Sequence, residues 1–231
     1  MSVILERVGF APDYVNYVES LDMQSRLHAE VAARARQNTI LLLEHEPVIT
    51  AGKRTEDHEY PTDRSTPVVK IDRGGKLTWH GPGQLTGYPI LKLPEPLDVV
   101  AYVRLLEEII MNVLAQLGIK GERVEGRSGV WILGDGITPD KKIAAIGIRV
   151  SKQTTMHGFA INCCNETAPF IPCGITDAGV TTISEQLGRT VTPADILGPL
   201  ERELIKYQDR LAMPFEPLVP QEHKVAHETA A

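Results

Sequence analysis

Residues 129–162, GVWILGDGITPDKKIAAIGIRVSKQTTMHGFAIN, hold three short apolar runs separated by polar segments. GVWIL (129–133), KIAAIGIRV (142–150) and TMHGFAIN (155–162) each read as a strand, and the turn-rich GDGITPD (134–140) predicts a hairpin between the first two. Strands clustered in a run, rather than alternating strictly with helices, point to an α+β fold in one domain. To the N-terminal side, TILLL (39–43) reads as a buried strand, and residues 53–68 as an exposed polar loop. Residues 13–34 predict an amphipathic helix with Tyr14, Tyr17 or Val18, Leu21, Leu27 and Val31 on its stripe. A second helix runs from Asp98, a suitable N-cap, to Leu117, where Gly118 ends it; Val99, Val103, Leu106, Ile110 and Val113 recur at steps of three and four. A third spans 191–212, with Thr192 as N-cap and Pro193 at the first helical position. From Pro214 the pattern stops, and residues 214–231 read as a mobile tail.

Composition narrows the function classes. The chain has 231 residues, 42% of them hydrophobic and 23% charged, enough for a full core without disulfides or metals. A net charge of −6 argues against non-specific nucleic-acid binding, which lysine and arginine drive. No stretch approaches the length of a membrane span, and MSVILERVGF lacks the form of a signal peptide, so the expected compartment is the cytoplasm. There, three cysteines are not a disulfide framework, and no CxxC or HxxxH pair suggests a metal site.

Three segments carry chemistry. RGGKLTWHGPGQ (73–84) packs four glycines and a proline into twelve residues, so its backbone can approach a ligand closely; a pair of tight turns around a short strand explains it equally well. In KKIAAIGIRV, strand alternation puts Lys142 with Ala144 and Ile146 on one face, and Ile143, Ala145 and Gly147 on the other. A lysine at the edge of such a small-residue surface is partly desolvated and available as a base, although a lysine ending a strand ordinarily reaches into water. In IPCGITDAG (171–179), Cys173 sits in a Pro-Cys-Gly loop rather than inside an apolar element. Backbone amides after it suit an oxyanion, and VTTISEQLG, which follows, reads as the start of a helix whose N-terminus favours a thiolate. Geometry alone leaves nucleophile and structural readings level. Cys163 and Cys164, at a strand end, read as packing residues, and His80 and His157, each beside glycine, are open as structural or pocket histidines.

Taken together, RGGKLTWHGPGQLTGYPI, KIAAIGIRV…HGFAIN and PCGI, with LLLEHEPVITAG and GRSGVWI, closely resemble the lipoyl(octanoyl) transferases over residues 40–190. The resemblance implies a single catalytic domain over residues 1–213, similar to the biotin and lipoate protein ligases, with a mixed β-sheet flanked by helices. It implies transfer of an octanoyl group from acyl carrier protein to a lysine on lipoyl domains of 2-oxo acid dehydrogenase E2 subunits and the glycine cleavage H protein. By the same resemblance Cys173 is the acyl-thioester nucleophile, and Lys142 activates it and acts as base. The substrate pocket falls on Arg73, Gly74, Gly75, Lys76, Leu77, Thr78, Trp79 and His80, with Ala145, Ile146, Gly147, Gly158, Phe159 and Ala160. No metal, ATP or other cofactor is implied, and neither nucleic acid nor membrane is a partner. Trp79 stands where the family often has tyrosine, Lys76 where it varies, and Cys164 has no counterpart in it. Small strand residues leave room for an eight-carbon chain, whose burial is worth about 0.8 kcal/mol per CH₂. Competing readings are an ATP-dependent lipoate or biotin ligase, a Cys–His thioesterase or amidase, and a non-catalytic acyl- or lipoyl-binding protein. An acidic carrier would meet a basic rim of Arg54, Arg73 and Arg149.

Overall fold

The run at 129–162 forms consecutive antiparallel neighbours: β8 (Arg127–Ile132), β9 (Lys141–Ser151) and β10 (Thr154–Asn162). The structure, a computed structural model, describes residues 3–63, 65–166 and 178–216. These strands belong to a mixed sheet ordered β1 (Val3–Gly9), β2 (Asn38–Leu43), β6 (Gln84–Ile90), β10, β9, β8 and β7 (Glu122–Val124). β1 and β2 are parallel; the ladders from β2 to β7 are antiparallel. The short β11 (Gly179–Val180) pairs with Lys141 and Lys142 in the lane that β10 leaves, since β10 takes up that edge of β9 only from Ala144. A second, three-stranded sheet is ordered β4 (Val68–Lys70), β3 (Val48–Ala51) and β5 (Leu77–His80).

The main sheet is buried on both faces, which is why β2 is a continuous apolar run and not an alternating one. Ile40 and Leu42 face a core shared with α2 (Val99–Gln116), the short α3 (Ile183–Leu187) and α4 (Pro193–Lys206). Leu41 and Leu43 face the opposite way, toward α1 (Tyr17–Ala32). Asp98 caps α2 through the Ala101 N–H at 2.8 Å, and the helix seats Leu106, Ile109, Ile110, Val113 and Leu114 on the sheet. Each such side chain is worth about 1.5–3 kcal/mol. Thr192 and Asp195 form a capping box at the start of α4, with Pro193 at its first position. Two expectations shift. α1 starts at Tyr17, capped by Asn16, so Tyr14 and Val18 are exposed and its buried stripe is Tyr17, Ser20, Gln24, Leu27 and Val31. The 53–68 loop carries a 3₁₀ turn at Asp57–Glu59.

Glu107 fixes how α2 meets the sheet. Its fully buried carboxylate accepts the Gly129 N–H at 3.0 Å and ion-pairs with Arg104 at 2.9 Å and Arg123 at 3.0 Å. Gly129, at φ +107°, opens the stretch of β8 that faces Lys142. Cys163 is buried in the core as expected, but Cys164 is exposed: β10 has ended, and both backbone N–H groups turn back onto the Gly83 carbonyl at 3.1 and 3.0 Å. Gly83 holds φ +81°, where an added Cβ would stand 2.7 Å from the Asn165 nitrogen. Residues 217–231, most of the expected tail, lie outside the described residues.

Candidate active site

A β-bulge decides where Lys142 points. β8 and β9 pair Val130 with Ala144 and then Trp131 with Lys142, so Ile143 is an extra residue on β9. Ile143, Ala144 and Ile146 all pack into the α2 core. Lys142 is thereby turned off that core, to the side of Ala145 and Gly147, not to the face of Ala144 and Ile146 that simple alternation predicts. It is only 8% exposed, and its Nζ lies 4.6 Å from the centroid of the Trp131 ring, its cross-strand partner. The Lys142 carbonyl accepts the Thr181 N–H at 3.1 Å, so the chain just after β11 is tied to this lysine.

Between the main sheet, α1 and the smaller sheet lies a pocket of about 310 Å³ including its open mouth. Its floor is two rungs of the β9–β10 ladder, Ala145–Ala160 and Gly147–Gly158, all without large side chains. Tyr17, Arg73, Thr78, His80, Tyr88 and His157 wall it, with Phe159 also contributing. Arg73 lies across Gly147: a Cβ there would stand 3.0 Å from the Arg73 Cδ and 3.1 Å from the Gly74 carbonyl. The guanidinium is fastened within the protein, donating to the Thr50 carbonyl at 3.1 Å, the Thr50 hydroxyl at 2.8 Å, the Thr78 hydroxyl at 2.9 Å and the Gly74 carbonyl at 2.8 Å. At 6% exposure Arg73 is a wall of the pocket and no part of a basic rim, which corrects that expectation. Lys53 and Arg54 are exposed, and Arg149 is half-exposed on Asp72 at 2.6 Å.

Three histidines meet this region, all shifted toward the neutral form. His80 is fixed by a chain of amides anchored on backbone carbonyls. Asn162 Nδ2 donates to the Thr181 carbonyl at 3.1 Å, so its Oδ1 accepts from Gln84 Nε2 at 2.9 Å. Gln84 Oε1 then accepts from His80 Nδ1 at 2.9 Å, leaving Nε2 an acceptor 3.3 Å from the Thr50 hydroxyl. Burial, with His45 and Arg73 nearby, holds His80 well below the ordinary histidine range. His45 donates from Nδ1 to the Val15 carbonyl at 2.9 Å and accepts from the Tyr88 hydroxyl at 2.6 Å; burial pushes it down to about 4. Tyr17 stacks on the His80 ring at 6.1 Å.

His157 adopts φ +61°, a left-handed conformation uncommon outside glycine. Its backbone N–H donates to Gln24 Oε1 at 3.1 Å, which explains a glutamine on the buried stripe of α1. Its Nε2 donates to Asp72 at 3.0 Å. Burial lowers the imidazole's proton affinity against the pull of Asp72. Burial also pushes the Asp72 carboxyl up, but the His157 hydrogen bond and the Arg149 and Lys53 charges outweigh it and hold it below its usual range.

Of the residues expected at the site, Arg73, Thr78, His80, Ala145, Gly147, Gly158, Phe159 and Ala160 meet at the pocket. Gly74 and Gly75 form the turn beside it, with Gly74 N–H on the Ile148 carbonyl at 3.1 Å. Lys76 pairs with Glu59 at 2.6 Å, away from the pocket, and Leu77 packs with Ile49 and Ala51 under Trp79. Ile146 faces the opposite core, because β9 alternates normally from Ala144 onward. Cys173 lies outside the described residues, which flank it at Glu166 and Ala178. Tyr17 was visible only as a helix-stripe residue; Tyr88, Thr50 and Asp72 carried no sequence signal, being joined to the site by pairing across distant strands. Among the described residues no group of three His, Cys, Asp or Glu side chains gathers to hold a metal ion, and no helix is long and apolar enough to cross a membrane.

A small-residue floor on a sheet covered by α2 and α4 on one face, and by α1 and the smaller sheet on the other, fits one catalytic domain. Residues 16–205 match the lipoyl protein ligase A/B catalytic domain, and the chain belongs to that family. The octanoyltransferase of Leifsonia xyli subsp. xyli is 62% identical over 193 residues, 82% of this chain and 86% of that protein. The octanoyltransferase of Clavibacter sepedonicus is 54% identical over 219 residues, covering 92% of this chain and 94% of its own. Among solved structures, a bipartite lipoate protein ligase from Thermoplasma acidophilum aligns with a TM-score of 0.66 at 15% identity, covering 94% of this chain and 86% of that one. That likeness is one of fold.

Proposed function

We propose that this acyltransferase moves an octanoyl group from octanoyl-acyl carrier protein, through a thioester on Cys173, to the ε-amino group of a lysine on lipoyl domains. The observation that carries the reading is Lys142, buried and turned by the bulge to the side of β9 that bears Ala145 and Gly147, with β11 beside it only six residues after Cys173. In the first step the Cys173 sulfur attacks the carrier thioester, Lys142 takes the thiol proton, and the departing carrier sulfur receives it. In the second, the acceptor amine attacks the Cys173 thioester; its proton passes by way of Lys142 to the leaving cysteine sulfur as the amide forms. The first exchange is thioester for thioester and the second runs downhill, so neither step calls for ATP or a metal. Ala145, Gly147, Gly158 and Ala160 leave the acyl chain its place, under Arg73 and Tyr17. The acceptors would be the lipoyl domains of 2-oxo acid dehydrogenase E2 subunits and the glycine cleavage H protein, met in a reducing cytoplasm that keeps Cys173 a thiol.

An ATP-dependent ligase of the same fold is the rival, and one pair of reactions separates them. Apo lipoyl domain is incubated with the protein and either octanoyl-acyl carrier protein alone or free octanoate with ATP and magnesium, and its mass is followed. The account predicts an octanoyl gain with the carrier thioester alone. Transfer only in the presence of ATP would reverse the assignment.

A further inference from the structure

Lys142 does not come to the Ala145 and Gly147 side of β9 by strand alternation. Among the described residues, the bulge at Ile143 turns it off the α2 core, and the indole of Trp131, its cross-strand partner, lies against it. Trp131 is 1% exposed and stays outside the α2 core that its neighbour Val130 joins, so its ring stands on the same side of β8 and β9 as Lys142. The Lys142 Nζ lies 4.6 Å from the ring centroid, and Arg127 lies 5.7 Å from it. Both distances fall within the range in which an aromatic face attracts a cation, and the attraction grows when water is excluded.

We infer that Trp131 is a positioning residue for Lys142: its indole face directs Nζ to the side of β9 that carries Ala145 and Gly147. Arg127 braces the same ring from the exposed end of β8 and adds to its orientation. This role rests on the proposed use of Lys142 as the proton carrier, and it explains why a large aromatic residue sits opposite that lysine on the strand pair. Trp131 acts through the lysine.

The test compares Trp131→Phe, which keeps an aromatic face, with Trp131→Met, which keeps apolar bulk without one. Steady-state octanoyl transfer is measured on the full chain, with thermal melts run alongside. Trp131→Met should lower kcat about 30-fold, equivalent to about 2 kcal/mol for a desolvated cation–aromatic contact. Trp131→Phe should recover most of that loss, and KM for the carrier thioester should move less than about threefold in either variant. In a Lys142→Ala background, where slow single-turnover acylation is followed by intact mass, Trp131→Met should add no further loss. Equal losses from Phe and Met, or an undiminished loss from Met with Lys142 already absent, would make Trp131 a packing residue and overturn the inference. Failure of the underlying reading looks different: no transfer by the unsubstituted protein, or Lys142→Ala at full rate.

Discussion

Lowering the pH from 7.5 to 5 should destabilise this protein through its buried histidines, and His45 allows the size to be worked out. Its folded-state value is about 4 against an ordinary value of 6.5, because burial disfavours the imidazolium. The unfolded chain therefore binds a proton between pH 6.5 and about 4 that the folded chain refuses, so stability falls as pH drops through that window. At pH 5 the unfolded state gains about 2 kcal/mol from protonating this one side chain, and at pH 7.5 about 0.1 kcal/mol. With a urea slope of roughly 3 kcal/mol per molar for a chain of this size, the midpoint should fall by about 0.6 M. His80 and His157 are shifted in the same direction and add to the loss. Urea titrations of the native protein and His45→Gln at both pH values isolate the His45 share. Glutamine can still donate to the Val15 carbonyl and accept from the Tyr88 hydroxyl, and it does not titrate. The account expects the variant to lose about 2 kcal/mol less than the native protein on acidification. The same pH dependence in both would refute the reasoning, whatever the variant's stability at pH 7.5.

Two other perturbations probe the frame of the site. Gly147→Val places methyl groups where a Cβ alone stands 3.0 Å from the Arg73 side chain, so kcat/KM for octanoyl transfer should fall at least about tenfold, with an overpacking cost of about 1–3 kcal/mol in a urea melt; unaltered transfer would move the acyl chain out of this pocket. Glu107→Ala leaves Arg104, Arg123 and the Gly129 N–H without their shared buried acceptor and should cost about 3–5 kcal/mol; a loss under about 1 kcal/mol would mean that water replaces the carboxylate.

The strands at 129–162 and the helices beginning after Asp98 and Thr192 were legible because apolar spacing, a hairpin turn and caps all pointed one way. β6 was not. It is a central strand, yet it contains Pro89, which lacks the N–H a ladder needs. The structure repairs the ladder with a side chain: Thr155 donates from Oγ1 to the Pro89 carbonyl at 2.6 Å and accepts the Leu91 N–H at 3.0 Å. β1 was hidden for a different reason, since Glu6 and Arg7 interrupt its short apolar run and only its pairing to β2 makes it a strand.

At the site, glycine spacing and the small residues of β9 and β10 marked the pocket, whereas the direction of Lys142 did not follow from them. Period-two alternation assigns it to the wrong face, and only the inserted Ile143 corrects this. His157 escaped firm reading likewise: its left-handed backbone and its tie to Asp72 both arise from tertiary contacts. Both departures lie on the β9–β10 pair that floors the pocket, where local regularity gives way to the placement of particular atoms.

The central claim is an acyl group carried on Cys173 beside Lys142, and intact-mass spectrometry of the protein mixed with octanoyl-acyl carrier protein tests it most directly. The account predicts one octanoyl adduct, labile to hydroxylamine, mapped to Cys173 and discharged when apo lipoyl domain is added, and formed far more slowly in Lys142→Ala. An adduct that persists undiminished and hydroxylamine-labile in Cys173→Ser, or transfer to the lipoyl domain with no adduct on the protein, would contradict it.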